Sequence, residues 1–78
     1  MVTRLRLADI WKTNERALLD RIEEPGIARQ VQEYADRLTM TPAPPITLRA
    51  DITIRDGHQR VLAAHLAGLE FIECVVIE

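Results

Sequence analysis

The sequence predicts an α+β fold, a mixed sheet of about four strands with three helices in the order β-α-α-β-β-α-β. Three observations support this class. Several segments alternate apolar and polar residues with period two, which is typical of half-buried strands. Others carry apolar residues at spacings of three and four, which indicates amphipathic helices. Stretches containing Pro or Gly lie between these segments, where elements are expected to end.

The first strand is predicted at 2–7, where apolar and polar residues alternate. Residues 8–14 are expected to form a connection that ends with Asn14 as an N-cap. A short helix should follow at 15–23 and stop before Pro25, because a residue preceding proline disfavours the helical conformation. Its predicted apolar stripe is Leu18, Leu19 and Ile22.

A second helix, opened by Pro25, is predicted over 26–40, where apolar and charged residues occupy opposite faces. Its apolar face consists of Ile27, Val31, Tyr34, Ala35 and Leu38. The segment 41–45 contains three prolines, which remove backbone donors and fix φ, so it should be an extended connector.

Two further strands are predicted at 46–49 and 52–55, joined by a tight turn at 50–51. Asp56-Gly57 should end the second of them and lead into a helix at 58–67.

Gly68 is expected to be the left-handed C-terminal cap of that helix, and the β-branched segment 71–77 to be the last strand. The closing β-α-β segment is expected to be right-handed.

The composition indicates one small folded domain, 1–78. Hydrophobic residues make up 47% and charged residues 28% of the 78 residues, a globular balance. The formal net charge is -2, so a general attraction to nucleic acid or anionic membrane is not expected, and such a partner would need a local patch.

The expected location is cytoplasmic. The sequence has no apolar run long enough for a membrane span and no apolar stretch of a signal peptide. The one cysteine, Cys74, has no partner for an internal disulfide and should be a buried strand residue. Two histidines without a cysteine pair offer no structural zinc site, so no metal ligands are predicted.

The strand-to-helix turn at 54–60 is the candidate site. The first N–H groups of a helix lack internal partners and carry partial positive charge, which favours phosphate. Gly57 would let an anion approach the backbone, and Arg60 in the first helical turn could pair with phosphate oxygens. Arg55 could approach from the strand end, and Gln59 in the same turn is a further candidate phosphate-binding residue.

The segment Asp56-Gly57-His58-Gln59-Arg60, followed by Ala63-Ala64, Gly68-Leu69 and an apolar strand to Ile77, resembles the second half of the ParB/sulfiredoxin-like domain. In that family a Gly-x-x-Arg turn opens a helix with an Ala-Ala pair and a Gly-Leu end. Upstream, 5–10 is similar to the family's opening strand and Leu-x-x-Ile box, and the helix ending at Leu38 with the strand 45–48 resembles its middle.

The turn distinguishes the subfamilies. In ParB proteins it reads Gly-Glu-Arg-Arg and contributes to CTP binding, whereas His58 and Gln59 occupy the two central positions here. In sulfiredoxins a cysteine nucleophile stands where this chain has His58, so sulfinic acid reductase activity is not expected. The turn is most similar to the Asp-Gly-His-His-Arg form of free serine kinases and of many ParB-like plasmid and phage proteins. The resemblance implies a phosphate or nucleotide pocket, with CTP or ATP and Mg²⁺ as candidate cofactors.

Individual residues have alternative roles. His58 could be a general base or phosphate ligand, or an exposed first-turn histidine without a role. Asp56 could act as a base or hold a metal, but an N-cap role is favoured. Glu15 and Arg16 stand where the family places substrate-contacting residues, although Glu15 also suits the first turn of a helix.

The aromatic residues and the second histidine have simpler interpretations. Trp11 and Tyr34 could stack on bases, although core packing is favoured for both. His65 is expected to be a packing or surface residue.

Two functions follow as hypotheses. The first is a ParB-like domain of plasmid, phage or bacterial DNA metabolism that binds a nucleotide or a nucleic-acid backbone, with nucleotide or phosphodiester hydrolysis as the reaction class if it is an enzyme. The second is a catalytically inactive interaction module, an adaptor or inhibitor, with a protein partner or a homodimer. Sequence-specific DNA binding is not expected from this chain alone, because 78 residues leave no room for a helix-turn-helix region.

Overall fold

The computed structural model describes residues 1–77 and contains the seven predicted elements in the predicted order. The strands are β1 (Val2–Arg6), β2 (Ile46–Arg49), β3 (Ile54–Asp56) and β4 (Phe71–Ile77), and the helices are α1 (Leu7–Ile22), α2 (Ile27–Leu38) and α3 (His58–Leu66). The strands form one mixed sheet in the order β1-β4-β2-β3, which confirms the predicted α+β layout.

The last strand lies inside the sheet, between the first and the second. β4 runs antiparallel to β1, with Val2 opposite Val75, and parallel to β2, with Ile46 opposite Cys74. β3 is antiparallel to β2 at the sheet edge. β3 and β4 are therefore antiparallel and not adjacent, so the expected right-handed β-α-β unit is wrong, because that rule applies to parallel strands.

One face of the sheet packs against the helices. Along β2 and β4, buried residues alternate with more exposed ones. The buried side chains of these strands join those of all three helices in one apolar cluster. Its members from the sheet are Ile46, Leu48, Ile54, Ile72 and Cys74, and those from the helices include Ile10, Leu18, Val31, Val61 and Leu62.

The first helix begins at Leu7, so the predicted connection at 8–14 and the predicted helix start at residue 15 are wrong. The buried positions of α1 are Leu7, Ile10, Asn14 and Leu18. Asn14 thus lies in the middle of the helix, on its buried face, and is not an N-cap. Of the predicted apolar stripe, only Leu18 is buried, whereas Leu19 and Ile22 are exposed.

The connection after β2 is longer than the predicted two-residue turn. β3 begins at Ile54, while Ile52 has φ 71° and cannot continue a strand. The Ile52 N–H donates to the Arg49 carbonyl at 2.8 Å, and the Arg49 N–H donates to the Thr53 carbonyl at 2.8 Å. These bonds close a turn whose left-handed residue is β-branched, an unfavourable conformation.

The ends of the later helices agree more closely with expectation. α2 begins at Ile27, with Gly26 as its N-cap. Pro25 precedes the cap and therefore belongs to the turn before the helix. After α3, Gly68 has φ 76°, as predicted for a left-handed cap. The Leu69 N–H donates to the Ala64 carbonyl at 3.0 Å and the Gly68 N–H to the His65 carbonyl at 3.1 Å, which is the Schellman pattern.

Candidate functional site

The turn between β3 and α3 is built around Gly57, which has φ 112° and is the N-cap of α3. A Cβ atom at this position would lie 2.5 Å from Cγ2 and 2.8 Å from Cβ of Ile46, a core residue. The backbone therefore lies against the core on the side where a side chain would project. Glycine is required here because φ is positive and because a Cβ atom would clash with Ile46. The close approach of an anion to this backbone stays a prediction.

The start of α3 has no side-chain cap within the described part of the chain. Asp56 is the exposed last residue of β3, so the favoured N-cap role for Asp56 is wrong. The Val61 N–H donates to the Gly57 carbonyl at 3.0 Å and makes the first bond of the helical ladder. The backbone N–H groups of 58–60 precede that bond, as at any helix start, and can serve an anion.

These residues line a polar cleft of about 330 Å³, which we call the turn cleft. Its walls are formed by Arg21 from α1, Tyr34 from α2, and Arg55, Asp56, Gly57, His58, Gln59 and Arg60 from the turn and α3. All of the residues predicted to bind phosphate or act in catalysis at the turn therefore meet in one space. Arg21 was missed, because no local pattern relates α1 to a turn more than thirty positions later.

Arg60 is partly buried and is held by the backbone of residues 41–45, which we call the proline connector. Its Nη1 donates a hydrogen bond to the Pro45 carbonyl at 3.1 Å. A guanidinium has five N–H donors, so this bond fixes the position of the group and leaves donors for another partner. The positive charge is not neutralised by a carbonyl oxygen.

His58 lies among positive charges. Burial is the main cause that lowers the pKa of its imidazole below the ordinary value of 6.5, and the charges of Arg21 and Arg49 lower it further, while Asp56 opposes them. The neutral ring is therefore favoured at neutral pH. A neutral imidazole can accept a proton, which is what a general base requires.

Gln59 contacts the neighbouring helix. Its Nε2 lies 3.4 Å from Oε1 of Gln30 in α2, at the long end of hydrogen-bond distances. The side chain thus bridges α2 and α3 at the rim of the turn cleft.

The two residues of the predicted first box separate. Arg16 lines a second cleft of about 490 Å³ between α1 and the β2–β3 turn, and His58 is also in its wall. Glu15 lies elsewhere, in a mainly apolar cleft of about 340 Å³ with Trp11 and His65. Of the pair, only Arg16 reaches the surroundings of His58.

Of the four other residues with a predicted role, Tyr34 lies in the wall of the turn cleft, and the rest, Trp11, His65 and Cys74, lie outside it. Trp11 is half-buried and stacks on the exposed ring of His65, with ring centroids 4.2 Å apart, so both act as packing residues. Tyr34 packs partly against the core and also faces the turn cleft. Cys74 is buried as predicted, and burial raises the pKa of its thiol.

No cluster of three or more His, Cys, Asp or Glu side chains suited to a metal ion is found among residues 1–77. None of the helices in this range has both the length and the apolar character needed to cross a bilayer.

Comparisons with protein-family models, with curated proteins and with solved structures found no match to this chain.

Proposed function

We propose that the chain binds a phosphate-containing ligand, either a nucleotide or a nucleic-acid backbone, in the turn cleft. One observation carries the proposal. Three arginines and the uncapped start of α3 face the same space, and Asp56 is the one carboxylate among the described residues that line it. Guanidinium groups and helix N-termini both bind phosphate favourably.

The resemblance of residues 56–60 to the turn of ParB/sulfiredoxin-like domains supports the same site. We therefore propose membership of that superfamily and a cytoplasmic role in plasmid, phage or bacterial DNA metabolism.

The charged side chains of the turn and His58 have distinct roles in this proposal. Arg60, held by the Pro45 carbonyl, and Arg55 in β3 contact phosphate oxygens. The N–H groups at the start of α3 donate hydrogen bonds to the remaining phosphate oxygens. If the ligand is hydrolysed, His58 or Asp56 takes the proton of the attacking water, and the arginines stabilise the charge that develops.

A Mg²⁺ ion that accompanies nucleotide phosphates is compatible with these residues. Such ions are commonly held by one or two carboxylates together with substrate phosphates, and Asp56 supplies one carboxylate in the turn cleft. The ion would neutralise phosphate charge when bound.

A ligand screen tests the proposal. Thermal unfolding is measured with inorganic phosphate, CTP, ATP and ADP on the unsubstituted chain and on Arg55→Gln, Arg60→Gln and Arg29→Gln. At a hundredfold excess over Kd, a bound ligand adds about 2.7 kcal/mol to the free energy of unfolding. We expect a rise in Tm that Arg55→Gln and Arg60→Gln reduce.

Arg29 is the matched control, because it is exposed and pairs with Glu33 on α2 at 3.3 Å. Each variant is compared with its own ligand-free Tm, since Arg60→Gln also loses the bond to Pro45. A rise that survives both cleft substitutions, or no rise with any anion, contradicts the proposal.

Hydrolysis is tested separately with nucleotides and with supercoiled plasmid in the presence of Mg²⁺. Activity that belongs to the turn cleft should be lost in His58→Ala or in Asp56→Asn, whichever residue takes the proton, and kept in His65→Ala. Activity that persists in both His58→Ala and Asp56→Asn would come from another site or from a contaminant.

The second candidate, a module that docks on a protein, is supported by a different surface. Met40, Leu69 and Phe71 are 88%, 40% and 40% exposed beside the proline connector. They line a mainly apolar cleft of about 390 Å³ with Leu38 and Pro42. This candidate predicts no response to any anion in the same screen.

A further inference from the structure

The turn cleft and the second cleft share one residue, His58. We call the second one the α1 cleft, since five of its lining residues come from α1. Its described walls are Thr13, Asn14, Arg16, Ala17 and Asp20 of α1, Arg49, Thr53 and Ile54 of the β2–β3 hairpin, and His58. His58 therefore lies where two clefts adjoin, the polar turn cleft and the α1 cleft, whose lining is partly apolar but includes two arginines.

Positive charge is concentrated around these two clefts. Arg16 and Arg49 line the α1 cleft, and the turn cleft adds three arginines, so half of the ten Lys and Arg residues of the chain meet here. Among the described lining residues, only Asp20 and Asp56 carry negative charge. A chain with a formal net charge of -2 thus has a strongly basic face, which neither its composition nor its linear sequence indicates.

No arginine of the basic face forms an ion pair with another residue of 1–77. The ion pairs between described residues are Arg6 with Glu70 and Arg29 with Glu33, and neither involves the basic face. Two of its guanidinium groups are instead fixed by carbonyls, Arg49 by Ile54 at 3.2 Å and Arg60 by Pro45 at 3.1 Å. Carbonyl oxygens orient these groups but leave the repulsion between like charges in place.

His58 senses this field from both sides. Burial is the main cause that lowers its pKa, and the charges of Arg21 in the turn cleft and Arg49 in the α1 cleft act in the same direction. Because His58 lines both clefts, they adjoin each other at this residue, as one ligand that spans them requires.

We propose that the two clefts bind one ligand that carries at least two linked phosphate groups, one in each cleft, with His58 between them. The inference rests on the proposed phosphate site in the turn cleft. A single phosphate there would leave Arg16 and Arg49 without an anionic partner, whereas a chain of phosphates neutralises the whole basic face. Both the tail of a nucleotide and a single-stranded nucleic acid offer this chemistry.

Binding isotherms with three probes test the inference: inorganic phosphate, inorganic tripolyphosphate and an oligodeoxythymidylate. The variants are Arg16→Gln and Arg49→Gln for the α1 cleft, Arg55→Gln for the turn cleft and Arg29→Gln as control. A charge-assisted contact contributes about 1.5 to 3 kcal/mol, so its loss should weaken binding by about tenfold or more.

We expect Arg16→Gln and Arg49→Gln to weaken the longer anions by about tenfold while phosphate binding stays within about twofold. Arg55→Gln should weaken all three probes. Arg16 is exposed and makes no ion pair with residues 1–77, so Arg16→Gln should fold even if Arg49→Gln, which loses its bond to Ile54, does not.

The outcomes separate the inference from the proposed function. If phosphate binds and Arg16→Gln leaves the longer anions unaffected, the α1 cleft has no part in binding and only the inference fails. If none of the three probes binds, both fail. Whichever of tripolyphosphate and the oligodeoxythymidylate binds more tightly identifies the source of the phosphates. For the oligodeoxythymidylate, the logarithm of the binding constant should also change with the logarithm of the salt concentration with a slope of about -0.7 per phosphate contacted.

Discussion

The side chain of Asn14 in α1 holds the backbone of Ile52 in the β2–β3 turn, with Nδ2 donating to the Ile52 carbonyl at 3.0 Å. The same nitrogen donates to the Ile10 carbonyl at 2.8 Å, and Oδ1 accepts from the Ile54 N–H at 2.9 Å. One buried amide thereby joins the first helix to the left-handed residue of the turn, Ile52, and to the first residue of β3, Ile54.

Asn14→Ala should lower the free energy of unfolding by about 2 to 4 kcal/mol, because it leaves the buried Ile54 N–H and Ile52 carbonyl without that partner. Urea unfolding measures the difference. Thr13→Ala is the neighbouring control, since its hydroxyl bonds only within α1 on the exposed side and its loss should change stability by less than about 0.5 kcal/mol. Equal effects of the two substitutions would disprove the role assigned to Asn14.

Gly57→Ala should destabilise the fold by more than about 3 kcal/mol, because the new Cβ meets Ile46 and φ stays positive. Gly68→Ala provides the comparison. Its φ is also positive, but no atom lies within 4 Å of the Cβ position, so only the backbone cost of roughly 1 kcal/mol applies. Thermal unfolding of both variants gives the two values, and a Gly57→Ala variant as stable as Gly68→Ala would rule out the packing argument.

The lowered pKa of His58 gives a pH dependence of stability with a defined sign. Below 6.5 the unfolded chain takes up a proton on this ring before the folded chain does, so stability should fall as pH drops through the folded pKa. Above 6.5 the ring contributes no slope. Unfolding measured from pH 7.5 to 5 on the unsubstituted chain and on His58→Gln should show the smaller slope in the variant.

The charged groups around His58 make its pKa a reporter of ligand binding. It faces Arg16, Asp20 and Arg21 on α1, Arg49 on β2, Arg55 and Asp56 on β3, and Arg60 on α3. An anion among them should raise the pKa, since negative charge favours the imidazolium. An NMR titration of both histidines with and without phosphate should show a rise at His58 and none at the distant His65. A rise at both would indicate a nonspecific salt effect.

Cys74 should react slowly with a thiol reagent in the folded state. Its side chain is fully buried in β4, and burial raises the pKa of the thiol, so little thiolate is present or accessible. We expect labelling at pH 8 at least about a hundredfold slower than in denaturant. Cys74→Ala with a cysteine placed at the exposed Thr41 is the control and should label rapidly. Equally fast labelling of both folded chains would contradict the burial of Cys74.

Local patterns predicted the order of the elements, because each strand and helix has its own period of apolar residues. They failed where a distant contact decides the structure. Asn14 suits an N-cap when read locally, but its partners lie 38 and 40 residues away, and these hydrogen bonds allow a polar residue on the buried face of α1. Ile52 likewise fits an extended strand until the turn holds it at positive φ.

The candidate site divides in the same way. Residues 55–60 are contiguous, so a local motif was enough to predict that they share a site. The structure places them in one cleft. Arg21 and Arg49 reach the site only through the packing of α1 and the β2–β3 hairpin against α3. The basic face was therefore invisible in a sequence whose total charge is negative.

The position of β4 between β1 and β2 has a consequence for synthesis in the cell. β1 leaves the ribosome before the other three strands of the sheet, yet its sheet neighbour is the last of the four, with Val2 opposite Val75. Until that strand emerges, the nascent chain can pair only β2 with β3, and β1 waits with open hydrogen-bonding edges. Folding should therefore be completed only after translation has passed residue 77, and a stalled, shorter chain is the form most exposed to chaperones and proteases.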